Sequence, residues 1–211
     1  MNEVTARATT VTPIVERAMA ANRPIFLWGA PGIGKSELVA GITDSLPGNN
    51  LMIDLRLALM EPTDLRGYPF RNPDTNQMEW SPPVDLPTME QAELYDTIVL
   101  FLDELNSAPP SVQAASYQLI LNGRIGQYEM PSNVRIVAAG NRETDRGVTF
   151  RMPAPLANRF RHINMEVNFE DWQQWAVNNN IHSEVVGYLS YAKQDLFDFD
   201  PKTSSQAFAT P

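Results

Sequence analysis

The sequence predicts an α/β fold: a parallel sheet sandwiched by helices, followed by a helical appendage. Three observations carry this expectation. Unbroken apolar runs such as Thr97 to Leu102 (TIVLFL) recur between helical stretches, as expected of strands covered on both faces. The run PIFLW leads into a glycine-rich loop and then a helix, a strand–loop–helix unit that builds α/β domains. After Asn168 strand-like runs cease and two helical segments follow, Glu170 to Val177 and Ser183 to Lys193.

Taken in order, Thr5 to Asn22 reads as a helix interrupted at Pro13, and Pro24 to Trp28 as a short buried strand. Lys35 to Leu46 fits a helix that Pro47-Gly48 stops. Leu51 to Leu55 is a second strand. Residues 60 to 97 are rich in proline and polar groups, with a short hairpin expected around Gln77. Loops that long inside a compact domain are usually functional or mobile. Thr97 to Leu102 is the central strand, and Ser111 to Leu121 a helix with Ser111 as its N-cap after Pro109-Pro110. Arg124 to Glu129 is a hairpin or its turn, Val134 to Ala139 a buried strand, and Phe160 to Val167 a weaker one. The expected division is an α/β unit over 1–167 and the start of a small helical unit over 168–211.

Composition narrows the function classes. The 211 residues, 43% of them hydrophobic, suffice for one domain and a small appendage. No apolar run approaches the roughly 20 residues that cross a bilayer. The opening MNEVTARATT has no apolar segment of a secretory signal. With no cysteine there are no disulfides or thiolate metal sites, and two histidines are too few for a histidine-rich one. The expected setting is cytoplasmic. A formal net charge of -9 repels phosphate backbones, so nucleic acid is an unfavoured partner.

Residues 29–36, GAPGIGKS, fit the pattern G-x-x-x-x-G-K-[ST] between a strand and a helix. A phosphate cradle needs consecutive backbone N–H groups turned inward, and glycine permits both the dihedrals and the close approach. The helix that follows adds positive potential at its N-terminus. Gly29, Ala30, Pro31, Gly32, Ile33, Gly34, Lys35, Ser36 and Glu37 are therefore the candidate nucleotide-binding residues. Lys35 would reach the β- and γ-phosphates of ATP, and the Ser36 hydroxyl would ligate Mg²⁺. The run LFLDE ends in Asp103-Glu104. Two carboxylates at the end of a buried apolar strand are costly unless both are used. Asp103 would hold Mg²⁺, and Glu104 would orient and polarise the attacking water.

With GAPGIGKS, LFLDELN, IVAAGN and PLANRF on the page, the chain resembles the AAA+ ATPases, and most closely their MoxR-type branch. The likeness runs over about the whole chain. It implies that Asn141 is sensor 1, positioning the attacking water. It implies that Arg159 is an arginine finger, reaching the nucleotide of a neighbouring subunit. It further implies a homo-oligomeric ring, a hexamer, that remodels or activates a protein. The expected partner is a protein with a von Willebrand factor A domain. Arg142, Arg146 and Arg151 crowd the same region, where one of them could also face the neighbour's phosphates. NRETDRG also resembles McrB-type relatives that use GTP, which leaves base preference open.

DLRGYPF (64–70) with EWSPP (79–83) resembles the family's loops facing the central pore, where aromatics could grip a polypeptide. The alternative is a covering loop in which Tyr68, Phe70 and Trp80 fill a satellite core. Trp172 and Trp175 are expected in the lid core. The resemblance also implies a sensor 2 arginine beyond this kind of segment. The sequence reaches Pro211 without it, so the lid is expected to be partial. The alternative functions are a nucleotide-dependent binding switch with little turnover, or a McrB-like nucleic-acid motor that uses GTP.

Overall fold

The computed structural model describes residues 4–145, 149–199 and 209–211. It begins with strand β1 (Val4–Arg7), helix α1 (Ala8–Ala20), β2 (Ile25–Trp28), α2 (Lys35–Ser45) and β3 (Asn50–Arg56). An excursion follows: α3 (Pro62–Arg66), β4 (Tyr68–Arg71), β5 (Met78–Ser81) and α4 (Met89–Leu94). Next come β6 (Thr97–Asp103), α5 (Pro110–Asn122), the short strands β7 (Arg124–Ile125) and β8 (Tyr128–Glu129), and β9 (Val134–Gly140). The described chain continues with α6 (Ala154–Ala157), β10 (Arg161–Glu166), α7 (Phe169–Asn178) and α8 (Ser183–Tyr191).

Six strands form one all-parallel sheet in the order β1-β10-β2-β9-β6-β3. Side chains alternate across it, as the period of two requires. Ile98, Leu100 and Leu102 of β6 join Phe26 and Ala138 in a core beneath α5. Val99 and Phe101 join Leu27, Val137 and Ile163 in a second core beneath α1 and α2. Both faces of β6 are therefore covered, which explains its unbroken apolar run.

Two boundaries and one burial differ from the sequence expectation. Val4–Arg7 is a strand rather than part of the first helix, because β10 offers it a parallel partner, with Val4 opposite Ile163. The helix then starts at Ala8 and accommodates Pro13 internally. Helix α5 starts at Pro110, so Ser111 lies in its first turn and is not the cap. Trp172 is half-buried against Phe169, but Trp175 is exposed.

The hairpin expected around Gln77 is β4 paired antiparallel with β5, Tyr68 opposite Ser81 and Phe70 opposite Glu79. Tyr68, Phe70 and Met78 are exposed on it. Trp80 is half-buried, with the Arg66 guanidinium 4.1 Å from its ring centre. No helix among the described residues is long and apolar enough to cross a membrane.

Candidate nucleotide site

Strand β2 lies between β9 and β10, although β9 precedes β10 in the chain. The crossover opens a crevice beyond the carboxyl ends of these strands, where open α/β sheets bind ligands. The loop 29–34 fills that position. Gly29 N–H donates to Gly140 O at 3.3 Å, anchoring the loop's start to the end of β9. Gly32 and Gly34 adopt φ of 76° and 82°, which turn the loop's N–H groups and which a side chain would strain. Helix α2 begins at the next residue, Lys35.

Lys35 is 8% exposed. Its ammonium donates to Gly29 O and Ala30 O, both at 2.9 Å, and to Asn141 Oδ1 at 3.2 Å. Burial pulls its pKa from 10.5 to about 8. Asp103, Asp145 and Glu104 oppose that fall, whereas Arg142 adds to it. One side chain thus ties the phosphate loop to the residue after β9.

Ser36 Oγ lies 3.4 Å from Asp103 Oδ2, at the end of β6. Asp103 Oδ1 accepts the Glu104 N–H at 2.8 Å. Glu104 has φ of 55°, rare for a side chain of this size and a strain typical of functional sites. A hydroxyl and a carboxylate oxygen facing each other suit a hard cation such as Mg²⁺.

Two supporting residues were not singled out by sequence reasoning. Asn106, 2% exposed, donates from Nδ2 to Asn141 O at 2.7 Å. It stands in LFLDELN, two places after Glu104, and that spacing was its only signal. Its backbone O accepts Phe150 N–H at 2.7 Å. The second is His162. Trp28 Nε1–H donates to His162 Nδ1 at 2.8 Å, leaving His162 Nε2–H to donate to Ala157 O at 2.8 Å. Phe26 stacks on Trp28, with ring centres 4.2 Å apart.

Arg142 is held within its own chain, its guanidinium donating to Met165 O at 2.8 Å. Arg151 is exposed, and Arg146 lies outside the described residues. Arg159 is not brought to this site. It sits after α6 at the opposite, amino edge of the sheet, exposed to solvent.

Comparison with known proteins bears on the family and the fold. Residues 24–160 match the family model of the AAA domain, dynein-related subfamily. The chain belongs to that AAA family. Its α/β sheet, flanked by helices, is the AAA+ core with a phosphate-binding loop. Midasin of Giardia intestinalis is 27% identical over 193 residues, 86% of this chain. The chain spans 4% of that relative's length. The crystal structure of a candidate ATPase from Cytophaga hutchinsonii superposes with a TM-score of 0.57 at 18% identity. That match covers 85% of this chain and 52% of the other, a likeness of fold. Membership makes this AAA domain a nucleotide-binding P-loop protein of the ATPase class.

Proposed function

We propose that this AAA domain is a Mg²⁺-dependent ATP hydrolase of the MoxR type, working as a ring that remodels or activates a protein partner. The observation that carries the reading is the convergence of Lys35, Ser36, Asp103, Glu104 and Asn141 at one edge of the sheet. Each residue type there matches a need of phosphoryl transfer, which is catalysed chiefly by positioning and electrostatics.

In this reading the N–H groups of 29–34 wrap the β- and γ-phosphates. Lys35 releases the loop carbonyls and turns its ammonium to the phosphate oxygens. Ser36 and Asp103 would hold Mg²⁺, and the ion would supply positive charge to the phosphate oxygens. Glu104 accepts a hydrogen bond from the attacking water and aligns it with the γ-phosphorus. Asn141 supports that water through its side-chain amide, and Asn106 holds Asn141 in place. The water oxygen bonds to phosphorus as the bond to the β–γ bridging oxygen breaks, leaving ADP and phosphate. Arg159 of a neighbouring copy supplies positive charge to the transferring group.

The exposed aromatics Tyr68 and Phe70 support a gripping hairpin over a satellite core. Under the MoxR reading its target is a protein, with a von Willebrand A-domain partner. Phosphate release from ATP tests the activity, with Lys35→Ala and Glu104→Gln alongside. The reading requires Lys35→Ala to lose nucleotide binding, and Glu104→Gln to bind ATP without turnover. Equal phosphate release from all three would refute it.

A further inference from the structure

Between Leu57 and Asp96 the chain places eight of its 25 acidic residues against two of its 16 basic ones. This stretch carries the β4–β5 hairpin, whose register sorts the side chains onto two faces. Tyr68 and Phe70 share one face, with Glu79 opposite Phe70. Asn72 continues that alternation, and its Nδ2 donates to Glu79 Oε1 at 2.7 Å. Thr75 Oγ1 donates to the same oxygen at 3.3 Å. The Glu79 carboxylate therefore lies on the face of the two rings, and among the described residues no hydrogen bond or ion pair engages its Oε2. Tyr68 is 60% exposed and Phe70 44%. Both cations of the stretch are engaged on the other face, where the Arg66 guanidinium covers Trp80 and Arg71 donates to Asn76 Oδ1.

Two exposed rings beside a carboxylate favour a cation. A guanidinium above an aromatic face is attracted by the negative face of the ring, and its flat fork also matches a carboxylate. Arg66 over Trp80, 4.1 Å from the ring centre, shows the first of these pairings on the back of the same hairpin. Opposite and diagonal residues on one face of an antiparallel pair stand within reach of each other's side chains. One guanidinium can therefore meet an aromatic ring and Glu79 together. We infer that this face of the hairpin docks an arginine-bearing basic segment of a protein partner, with Tyr68 and Phe70 receiving the guanidinium plane and Glu79 its charge.

The choice of occupant follows from charge. An acidic segment would be repelled by the carboxylates of this stretch, and an uncharged apolar one would desolvate Glu79 without pairing it. A basic segment satisfies both the rings and the carboxylate. The hairpin is also preset for docking. Gly67, with φ of 88°, sits so close to Ser81 O that a Cβ would strike it, which closes the base of the ribbon. Asn72 and Thr75 fix the carboxylate, so little order is lost when a partner binds. The inference rests on the gripping role proposed for this hairpin and names the chemistry of what is gripped.

The test titrates the full chain into a fluorescein-labelled peptide of alternating arginine and glycine, read by anisotropy at one fixed salt concentration. A second peptide carries citrulline in place of arginine, which keeps the shape and removes the charge. The variants are Tyr68→Ala/Phe70→Ala, Glu79→Gln and, as a control of equal charge on an exposed residue of α4, Glu93→Gln. The expected result is binding of the arginine peptide by wild type, at least about fivefold tighter than the citrulline peptide. The paired ring variant should weaken it at least about fivefold, the scale of cation–π contacts at two exposed rings. Glu79→Gln should weaken it at least about threefold, and Glu93→Gln by less than about twofold. A wild type that does not bind the arginine peptide overturns the inference, as does equal binding of the citrulline peptide. Equal losses from Glu79→Gln and Glu93→Gln, or none from the ring variant, also overturn it, because the attraction would then be to net charge alone. The two readings fail separately: peptide binding without phosphate release from ATP refutes the hydrolase and spares the docking face, and phosphate release without peptide binding does the reverse.

Discussion

Trp28 and His162 are 134 residues apart in sequence and share a 2.8 Å hydrogen bond, indole N–H to imidazole Nδ1. Trp28 immediately precedes the phosphate loop. His162 follows Arg159 by three residues and holds the end of α6 through Ala157 O. The bond couples the strand that launches the loop to the segment that presents Arg159. His162→Phe keeps a ring but orphans the half-buried Trp28 N–H, a loss of about 1–3 kcal/mol. Urea unfolding should show that loss. ATP turnover should fall further than ATP affinity, because the disturbed element is the one carrying Arg159.

Lys35 predicts a pH-dependent stability. Its pKa falls from 10.5 to about 8 on folding, mainly through burial. The unfolded chain then binds more protons between these values, so stability rises with pH across pH 8 to 10.5. The cost of the buried ammonium is fully present below pH 8. Lys35→Met removes it and should make the nucleotide-free protein more stable at pH 7, by up to roughly 3 kcal/mol on the linkage scale. Paired urea titrations should show the gap narrowing as pH rises through that window. A constant gap would mean that the lysine is not desolvated.

Gly140 should tolerate no side chain. A Cβ there would lie 2.9 Å from Asn106 Cγ and 2.9 Å from Phe26 Cζ, both well buried. Gly140→Ala must displace either the asparagine that holds Asn141 or a core ring. Overpacking of this kind costs about 1–3 kcal/mol. A lowered melting temperature, with weakened turnover in the fraction that stays folded, is the expected pair of results.

Much of the site was legible because its chemistry is local in sequence. The spacing of Gly29, Gly34, Lys35 and Ser36, and the placement of Asp103-Glu104 after an apolar run, state their positions within a few residues. Arg159 was readable only through its motif. The supporting contacts were not legible. Strand β1 takes its identity from β10, its partner some 160 residues away in the chain, and VTAR alone reads equally well as helix. Nothing adjacent in sequence joins Trp28 to His162, or Thr9 to Asp171 at 2.9 Å.

Glu104 separates chemistry from stability. Its φ of 55° suits glycine better than glutamate. Glu104→Gly should therefore leave the nucleotide-free fold unharmed or slightly stabilised, within about 1 kcal/mol, since relief of strain is partly offset by glycine's freedom when unfolded. Glu104→Gln should keep ATP affinity and lose about 10²–10⁴-fold in turnover, the usual size of general-base catalysis. Calorimetry and single-turnover phosphate release check the two halves separately.

The most direct test of the central claim is the rate of ATP hydrolysis per subunit, measured against protein concentration with Glu104→Gln as the blank. The account predicts a rate that climbs steeply with concentration and then saturates, because Arg159 acts only across a contact between copies. Arg159→Ala should stay near the blank at every concentration. A wild-type rate that is flat across the series, or that matches Glu104→Gln throughout, would contradict it.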